Sequence, residues 1–441
     1  MVIGGQKEWL ESLLSLYVSD QITLTLEEDA TVLSFAGEAR KIHVPKIPDL
    51  WETGAPSFGC GVIAGLPAPA ADVDHETLLR GADEGAAQGD VHLSYDIIGL
   101  AYHMLSRAEE IGRSDLDAHE RFAARQSHAY DFGYLDRPLV DEWFYALRGV
   151  CQKTWPSIQL TKHAFSMIVS HDVDDASRYG YGSWKRFLRL VAQDFFAFRW
   201  KNLLFAIPSR LQNKKIIHAK DPYATYDWLM DVSEGCGIKS AFNFICGRTD
   251  PSKDALYDLG DNAIENLIAH IYGRGHEIGL HPSYETFQDE AQFQAEATRF
   301  KGALKSLAPS QQGFGGRMHY LRWSSPDTMR FWDDAGALYD STLGYADAAG
   351  FRCGTCHEYP AFDVVRQQML SLKIRPLIAM EITFITDQYL GLDEGRKAYD
   401  AFMALKRKCM AVGGNFTLLW HNSRFESDRS RSLYEAVLKD C

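Results

Sequence analysis

The chain of 441 residues contains no run of about 18 apolar residues, which excludes a membrane-spanning helix. Its N-terminus, Met1-Val-Ile-Gly-Gly-Gln-Lys-Glu-Trp9, lacks a basic stretch followed by an apolar core, so no signal peptide is expected. Positive charge is also short. Lys and Arg number 46 against 59 Asp and Glu, and the net charge of -13 argues against bulk nucleic-acid binding. The eight cysteines are mostly scattered, which in a long chain without an export signal points to reduced thiols. There is no Gly-x-Ser-x-Gly elbow of a serine hydrolase, no internal repeat and no low-complexity tract. The expectation is a cytoplasmic protein.

In bulk the chain is ordinary. A hydrophobic content of 46% with 24% charged residues suits a well-cored protein, and the length suggests two domains. Trp9, Leu10, Leu13, Leu14 and Tyr17 fit an amphipathic helix over residues 6–18. Residues 22–26 and 31–35 read as strands paired through the acidic turn between them. Pro45, Pro48, Pro56, Pro67 and Pro69 mark an irregular connector. Helical spacing returns at 95–107 and 139–150, and His103, Glu109 and Glu110 read as a solvated helix face. These pieces make an α+β N-terminal domain over residues 1–160.

Beyond it the pattern is α/β. Strands are expected at 166–171, 239–246, 276–281, 313–319, 337–341, 377–384 and 415–421. Helices are expected between most of them, notably at 223–235, 261–273, 288–307 and 392–411. About seven β/α repeats over 161–441 point to a parallel sheet closed as an irregular barrel. One segment breaks the composition. From Trp184 to Lys220 nine Lys and Arg stand against a single acid, Asp194, interleaved with Phe187, Phe195, Phe196, Phe198 and Trp200. A basic aromatic segment of this kind either lies on an anionic membrane, grips an anionic substrate, or packs on the barrel with its charges in water.

The chemistry gathers at the expected strand ends. Met167-Ile-Val-Ser-His-Asp-Val-Asp-Asp175 is an apolar run closing on one His and three carboxylates. Asp172 and Asp174 alternate, so a strand can point both to one face. Crowded carboxylates are costly unless a metal or a strong hydrogen-bond donor holds them, and something cationic is expected there. Further strand ends carry Gly275-His-Glu-Ile-Gly-Leu-His-Pro282, Gly316-Arg-Met-His-Tyr320, Asp340-Ser-Thr-Leu-Gly-Tyr345, Glu381 and Leu418-Leu-Trp-His-Asn422. Cys353-Gly-Thr-Cys356-His357 matches a haem-attachment spacing, but it lacks an export signal and reads as a plain loop near the active site.

In this order the pieces resemble the NodB-homology polysaccharide deacetylases, carbohydrate esterase family four, over residues 165–425. The resemblance implies a distorted (β/α)7-type barrel, usually a divalent metal, and removal of N- or O-acetyl groups from sugars. It implies Asp172 as base, Arg317 as its orienter and His421 as acid. It implies Asp174 and His281 as metal ligands, with Asp175 a competing ligand and His276 a structural residue. Two departures stand out: Glu285 occupies the position of the family's second metal His, and His319 replaces a Pro before Tyr320. Either residue can complete the site of a divalent metal, Zn or else Co or Ni. Tyr320, Trp323, Tyr345 and Trp420 are candidates to stack on a sugar ring, or to pack in the barrel. The implied substrate is a carbohydrate or lipid-linked sugar. Metal-free amidohydrolysis of a small cyclic or formyl amide, and non-catalytic carbohydrate binding, remain the alternatives.

Overall fold

The first helix, Ile3–Tyr17, buries Trp9, Leu10, Leu13, Leu14 and Tyr17 along one stripe. The structure, a computed structural model, describes residues 3–51, 89–213, 215–425 and 427–440. Pro56, Pro67 and Pro69 of the expected connector lie outside them. Strand β1 (Ile22–Leu26) turns Ile22 and Leu24 inward and leaves Thr23 and Thr25 outside, the period-2 pattern of a half-buried strand. It pairs antiparallel with β2 (Ala30–Phe35), which pairs antiparallel with β3 (Ile42–Pro45). The short β4 (Val91–His92) adds in parallel to β3.

The larger sheet is parallel and mixed with helices. β5 (Ser166–Val173) lies at the centre of five strands ordered β11-β12-β5-β6-β7. Its neighbours are β6 (Ala241–Ile245), then β7 (Glu277–His281) on one side, and β12 (Asn415–Leu419), then β11 (Ala379–Met380) on the other. The register sets Asp172 opposite Asn243 and Ile245 opposite His281. Helices Tyr226–Gly235, Asn262–Gly273, Glu290–Leu307, Arg396–Ala411 and Asp428–Lys439 connect and flank the strands.

Past β7 the pairing thins. The strand expected at 313–319 is reduced to single bridges from Gly316 to Leu280 and to Asp340. A Cβ on Gly316 would lie 1.8 Å from the Leu280 carbonyl oxygen, so this approach of two backbones requires glycine. The next strand, β8 (Tyr339–Asp340), is two residues long. The segment after residue 374 then bonds on both sides. Leu377 donates to Leu343 O at 3.0 Å and Ile378 to Thr417 O at 3.1 Å. The strand expected at 377–384 stops at Met380, where the helix Glu381–Ile385 begins.

An antiparallel pair, β9 (Tyr359–Asp363) and β10 (Gln368–Ile374), was not expected from sequence. It receives the first helix. Trp9 stacks on Phe362 with centroids 4.8 Å apart and donates from Nε1 to Pro360 O at 2.7 Å. One buried apolar cluster therefore runs from Trp9 through all three sheets to Leu438. The Cys353–His357 segment lies in this junction and is not a loop near the active site. Asn415, at the start of β12, donates to Cys356 O, which puts the motif at the opposite end of the sheet from Asp172.

His103, Glu109 and Glu110 are also buried, not a solvated helix face. Glu110 accepts from Arg107 Nε at 2.9 Å and from Arg352 Nε at 2.9 Å and Nη2 at 2.6 Å. Burial pushes its carboxyl up, but the two guanidiniums outweigh this and leave it below the usual range. Burial holds His103 down at about 3. No helix among the described residues is long and apolar enough to cross a membrane. Replacing Glu110 with Ala would strand two buried guanidiniums, so denaturant unfolding should show a loss of about 3–5 kcal/mol.

Candidate metal and catalytic centre

The side chains that carry chemistry emerge where the parallel strands end at their carboxyl side, the usual position of a site on such a sheet. β5 ends in Val173 and delivers Asp172 and then Asp174; β7 ends in His281. The turn after Gly316 supplies Arg317 and His319, β11 runs into Glu381, and His421 follows β12.

Three histidines surround the Asp174 carboxylate. His281 Nε2 lies 3.3 Å and His319 Nε2 3.6 Å from Asp174 Oδ1, and His421 Nε2 lies 3.5 Å from Oδ2. Each ring is oriented by its other nitrogen. His281 Nδ1 donates to Arg317 O at 2.6 Å, His319 Nδ1 to Asp254 Oδ1 at 3.0 Å and His421 Nδ1 to Glu381 Oε1 at 2.7 Å. Burial alone would push the Asp174 carboxyl up, but His319 and His421 hold it well below the usual carboxylate range. Its Oδ1 is nevertheless buried with no hydrogen-bond donor of adequate geometry.

That orphaned oxygen is the observation that tests metal binding. Asp174, His281 and His319 offer ligand atoms all within 4.8 Å of one another. Two donors on one tetrahedral Zn²⁺ would stand about 3.4 Å apart. The separations of 3.3 and 3.6 Å are close to that value. Anchoring of each ligand His through Nδ1 is the outer support such sites use. The donor set thus fits a divalent metal. A second cluster, Asp141, Cys356 and His357, also has the spacing. There Asp141 already accepts from Cys356 N at 3.0 Å, Cys356 Sγ at 3.2 Å and the Thr355 hydroxyl, so no oxygen is left without a donor.

Glu285 does not reach the cluster. Its carboxylate faces solvent and accepts from Arg322 Nη1 at 2.7 Å. Asp175 is also turned aside, towards Arg186 Nη2 at 3.0 Å. His276 is tied to Ser240 N at 3.1 Å and Glu234 at 3.2 Å, away from the site.

Asp172 is fully enclosed. Its Oδ1 accepts from Arg317 Nη1 at 3.0 Å and Asn243 Nδ2 at 2.7 Å, and its Oδ2 lies 3.8 Å from His281 Nε2. Burial raises its pKa, but Arg317 leads a set of positive neighbours that brings it below the ordinary value. Arg317 is itself fixed by Ser170 Oγ, Ser341 O and Ser341 Oγ at 2.9–3.0 Å. On the other side of Asp174, burial lowers the His421 pKa, but Glu381 and Asp174 raise it to about 9, so the ring is held protonated.

Of the four aromatic candidates only Tyr320, 38% exposed, presents a ring at the surface; it lies 4.8 Å from His319 between centroids. Trp323, Tyr345 and Trp420 are buried and offer no free face to a sugar. Trp323 donates to Asp340 Oδ2, Tyr345 packs near Phe122, and Trp420 is stacked between Phe402 and Phe425. Beside the cluster a cleft of about 350 Å³ is lined by Asp174, Asp175, Tyr223, Glu381, Glu394 and His421, among others.

Several contributors escaped the sequence reading. Asn243 bonds Asp172 across the sheet, and a Cβ on Gly279 would lie 1.9 Å from its amide oxygen. Asp254 carries His319. Residues 119–121 reach the rim from the N-terminal region: Arg121 Nη1 donates to Tyr320 O at 2.8 Å, and Arg322 bonds His119 O and Glu120. The Gly at 279 was the one available signal.

A family model described as a family of unknown function (DUF7033) matches residues 21–156. No curated protein matches the chain. Among solved structures, a Mycobacterium smegmatis protein described as a polysaccharide deacetylase is similar at 18% identity and a TM-score of 0.41. It covers 63% of this chain and 84% of its own. The allantoinase Puue is similar at 14% identity and TM-score 0.36, with 64% and 85% covered. A Pseudomonas aeruginosa PAO1 protein described as a polysaccharide deacetylase gives 14%, 0.35, 63% and 84%.

Removing the support of His319 by Asp254→Ala should weaken Zn²⁺ or Co²⁺ binding about 10- to 100-fold in a chelator competition titration. Glu285→Ala should leave the affinity unchanged.

Proposed function

We propose that this chain is a metal-dependent hydrolase that removes an acetyl or other acyl group from the nitrogen of a sugar, free or lipid-linked. The single observation that carries the reading is the placing of two oppositely prepared groups on one candidate metal cluster. Asp172 is kept ionised beside Arg317, and His421 is kept protonated beside Glu381. A base and an acid flanking a site for a polarised carbonyl are what amide hydrolysis needs. A merely binding site has no need of the pair.

A divalent cation held by Asp174, His281 and His319 would supply Lewis-acid polarisation of the amide carbonyl. Asp172 takes a proton from the attacking water as the new C–O bond forms. Arg317 and Asn243 keep its Oδ1 engaged, so that Oδ2 is the oxygen presented to that proton. The backbone N–H of Tyr320, next to His319, is the expected donor to the developing oxyanion. The C–N bond then breaks, and His421 gives its Nε2 proton to the leaving nitrogen while Glu381 steadies the ring. The products are a carboxylate and a free amine. Residues 161–441 are assigned as the catalytic unit, with the strand positions from β5 round to β12 read as one distorted β/α barrel. Residues 1–160 are assigned as an α+β unit that shares its core with the catalytic unit and contributes to the rim.

The test is acetate release from N-acetylated sugars by the metal-loaded protein. Asp172→Asn should lower turnover by at least about 10²-fold, the usual worth of a positioned base, with the circular dichroism spectrum unchanged. Full activity in that variant would overturn the assignment.

A further inference from the structure

The segment between residues 184 and 216 folds as two helices, Trp184–Phe196 and Trp200–Gln212, joined at residues 197–199. Ten of its large apolar side chains are exposed, among them Trp184, Leu188 and Trp200. Phe196, Phe198 and Leu204 are 77%, 75% and 72% exposed. Phe198 sits at the joint with φ of +56°, a conformation that a bulky residue rarely adopts. A contiguous surface of this kind marks a contact with something else.

Charge identifies what that is. Lys185, Arg189 and Lys201 are exposed between the aromatic residues. The segment's one acid, Asp194, is buried and neutralised inside the hairpin by Arg178 at 2.6 Å and Arg199 at 3.2 Å. The outer face therefore carries positive charge alone, on a chain whose net charge is -13. A two-fold contact with a second copy would set the patch of Lys185, Arg189 and Lys201 against the same basic patch of its partner. Anionic headgroups meet the same charges favourably, and Trp and Phe beside Lys and Arg suit the boundary between headgroups and acyl chains.

We propose that this hairpin docks the protein on an anionic membrane surface, with Phe196, Phe198 and Leu204 entering the interface. It also ties the membrane to the site. Arg186 bonds Asp175, which adjoins Asp174 and lines the cleft. Arg178 bonds Asp194 and Tyr223, another cleft residue. The docking hairpin is therefore joined directly to the lining of the cleft. The proposal does not depend on the reaction assigned to Asp172.

The experiment is co-sedimentation of the purified full chain with vesicles of phosphatidylcholine alone or mixed with phosphatidylglycerol, at low and high salt. Wild type is expected to pellet with the mixed vesicles, and less so at high salt. Lys185→Gln with Arg189→Gln and Lys201→Gln should weaken binding on the order of 100-fold. Phe196→Ser with Phe198→Ser and Leu204→Ser should abolish it, at exposed positions where folding, checked by circular dichroism, is expected to be kept. No binding of wild type to mixed vesicles at low salt would overturn the proposal, as would equal binding by the variants. A wild-type dimer that the Phe196→Ser set converts to monomer would assign the surface to a second copy and overturn it equally.

Discussion

The crowding of three imidazoles around the Asp174 carboxylate is the constraint from which the rest of the site follows. Each ring has its Nδ1 committed to an acceptor, so each turns Nε2 towards the same carboxylate. A group so arranged has two ways to be stable. Either the rings are charged and Asp174 neutralises them, or His281 and His319 are neutral and share a cation with Asp174. The carbonyl of Arg317 and the carboxylate of Asp254 suit the second case, since both accept the Nδ1 proton and leave Nε2 as a lone pair. Charge does not separate His421 from His319: burial lowers both, but Asp174 with Asp254 raises His319 to about 9, and Glu381 with Asp174 raises His421 to about 9. What separates them is that His319 shares Asp174 Oδ1 with His281 while His421 faces Oδ2. Asp174, His281 and His319 are thus the candidate ligands and His421 the candidate acid.

The frame that holds this group depends on close backbone contacts. Gly316 lets the post-β7 turn approach Leu280, and the same turn carries Arg317 to Asp172 and His319 to Asp174. Gly279 leaves space for the Asn243 amide. The N-terminal region supports the frame from two directions. Its first helix covers β9 and β10 at Trp9, and residues 119–121 fasten Tyr320 and Arg322 at the rim. The buried Arg107, Glu110 and Arg352 group links the same two parts of the chain.

The parallel strands were legible because each is a short apolar run between turns, and the residues at their ends stood out as polar against it. Asp172, Asp174, His281, Arg317 and His421 were singled out this way, and the structure brings them together. Choosing between His319 and Glu285 was beyond spacing, because the deciding fact is spatial: His319 is held by Asp254, 65 positions away in sequence, while Glu285 turns to Arg322. Burial misled the reading in both directions. Aromatic residues near the site, Trp323 and Trp420, proved to be packed, and the acids Glu109 and Glu110 proved to be inside. Composition cannot show a buried charge whose partner, such as Arg352, is distant in sequence. The β9–β10 pair was missed because it breaks the β/α alternation that organised the rest.

Metal analysis of the purified protein, with Asp174→Ala, His281→Ala and His319→Ala in parallel, tests the central claim most directly. The account predicts near-stoichiometric Zn, Co or Ni in wild type, lost from all three variants while their folding persists. No metal in wild type even after loading, or full occupancy in the His319→Ala protein, would contradict it.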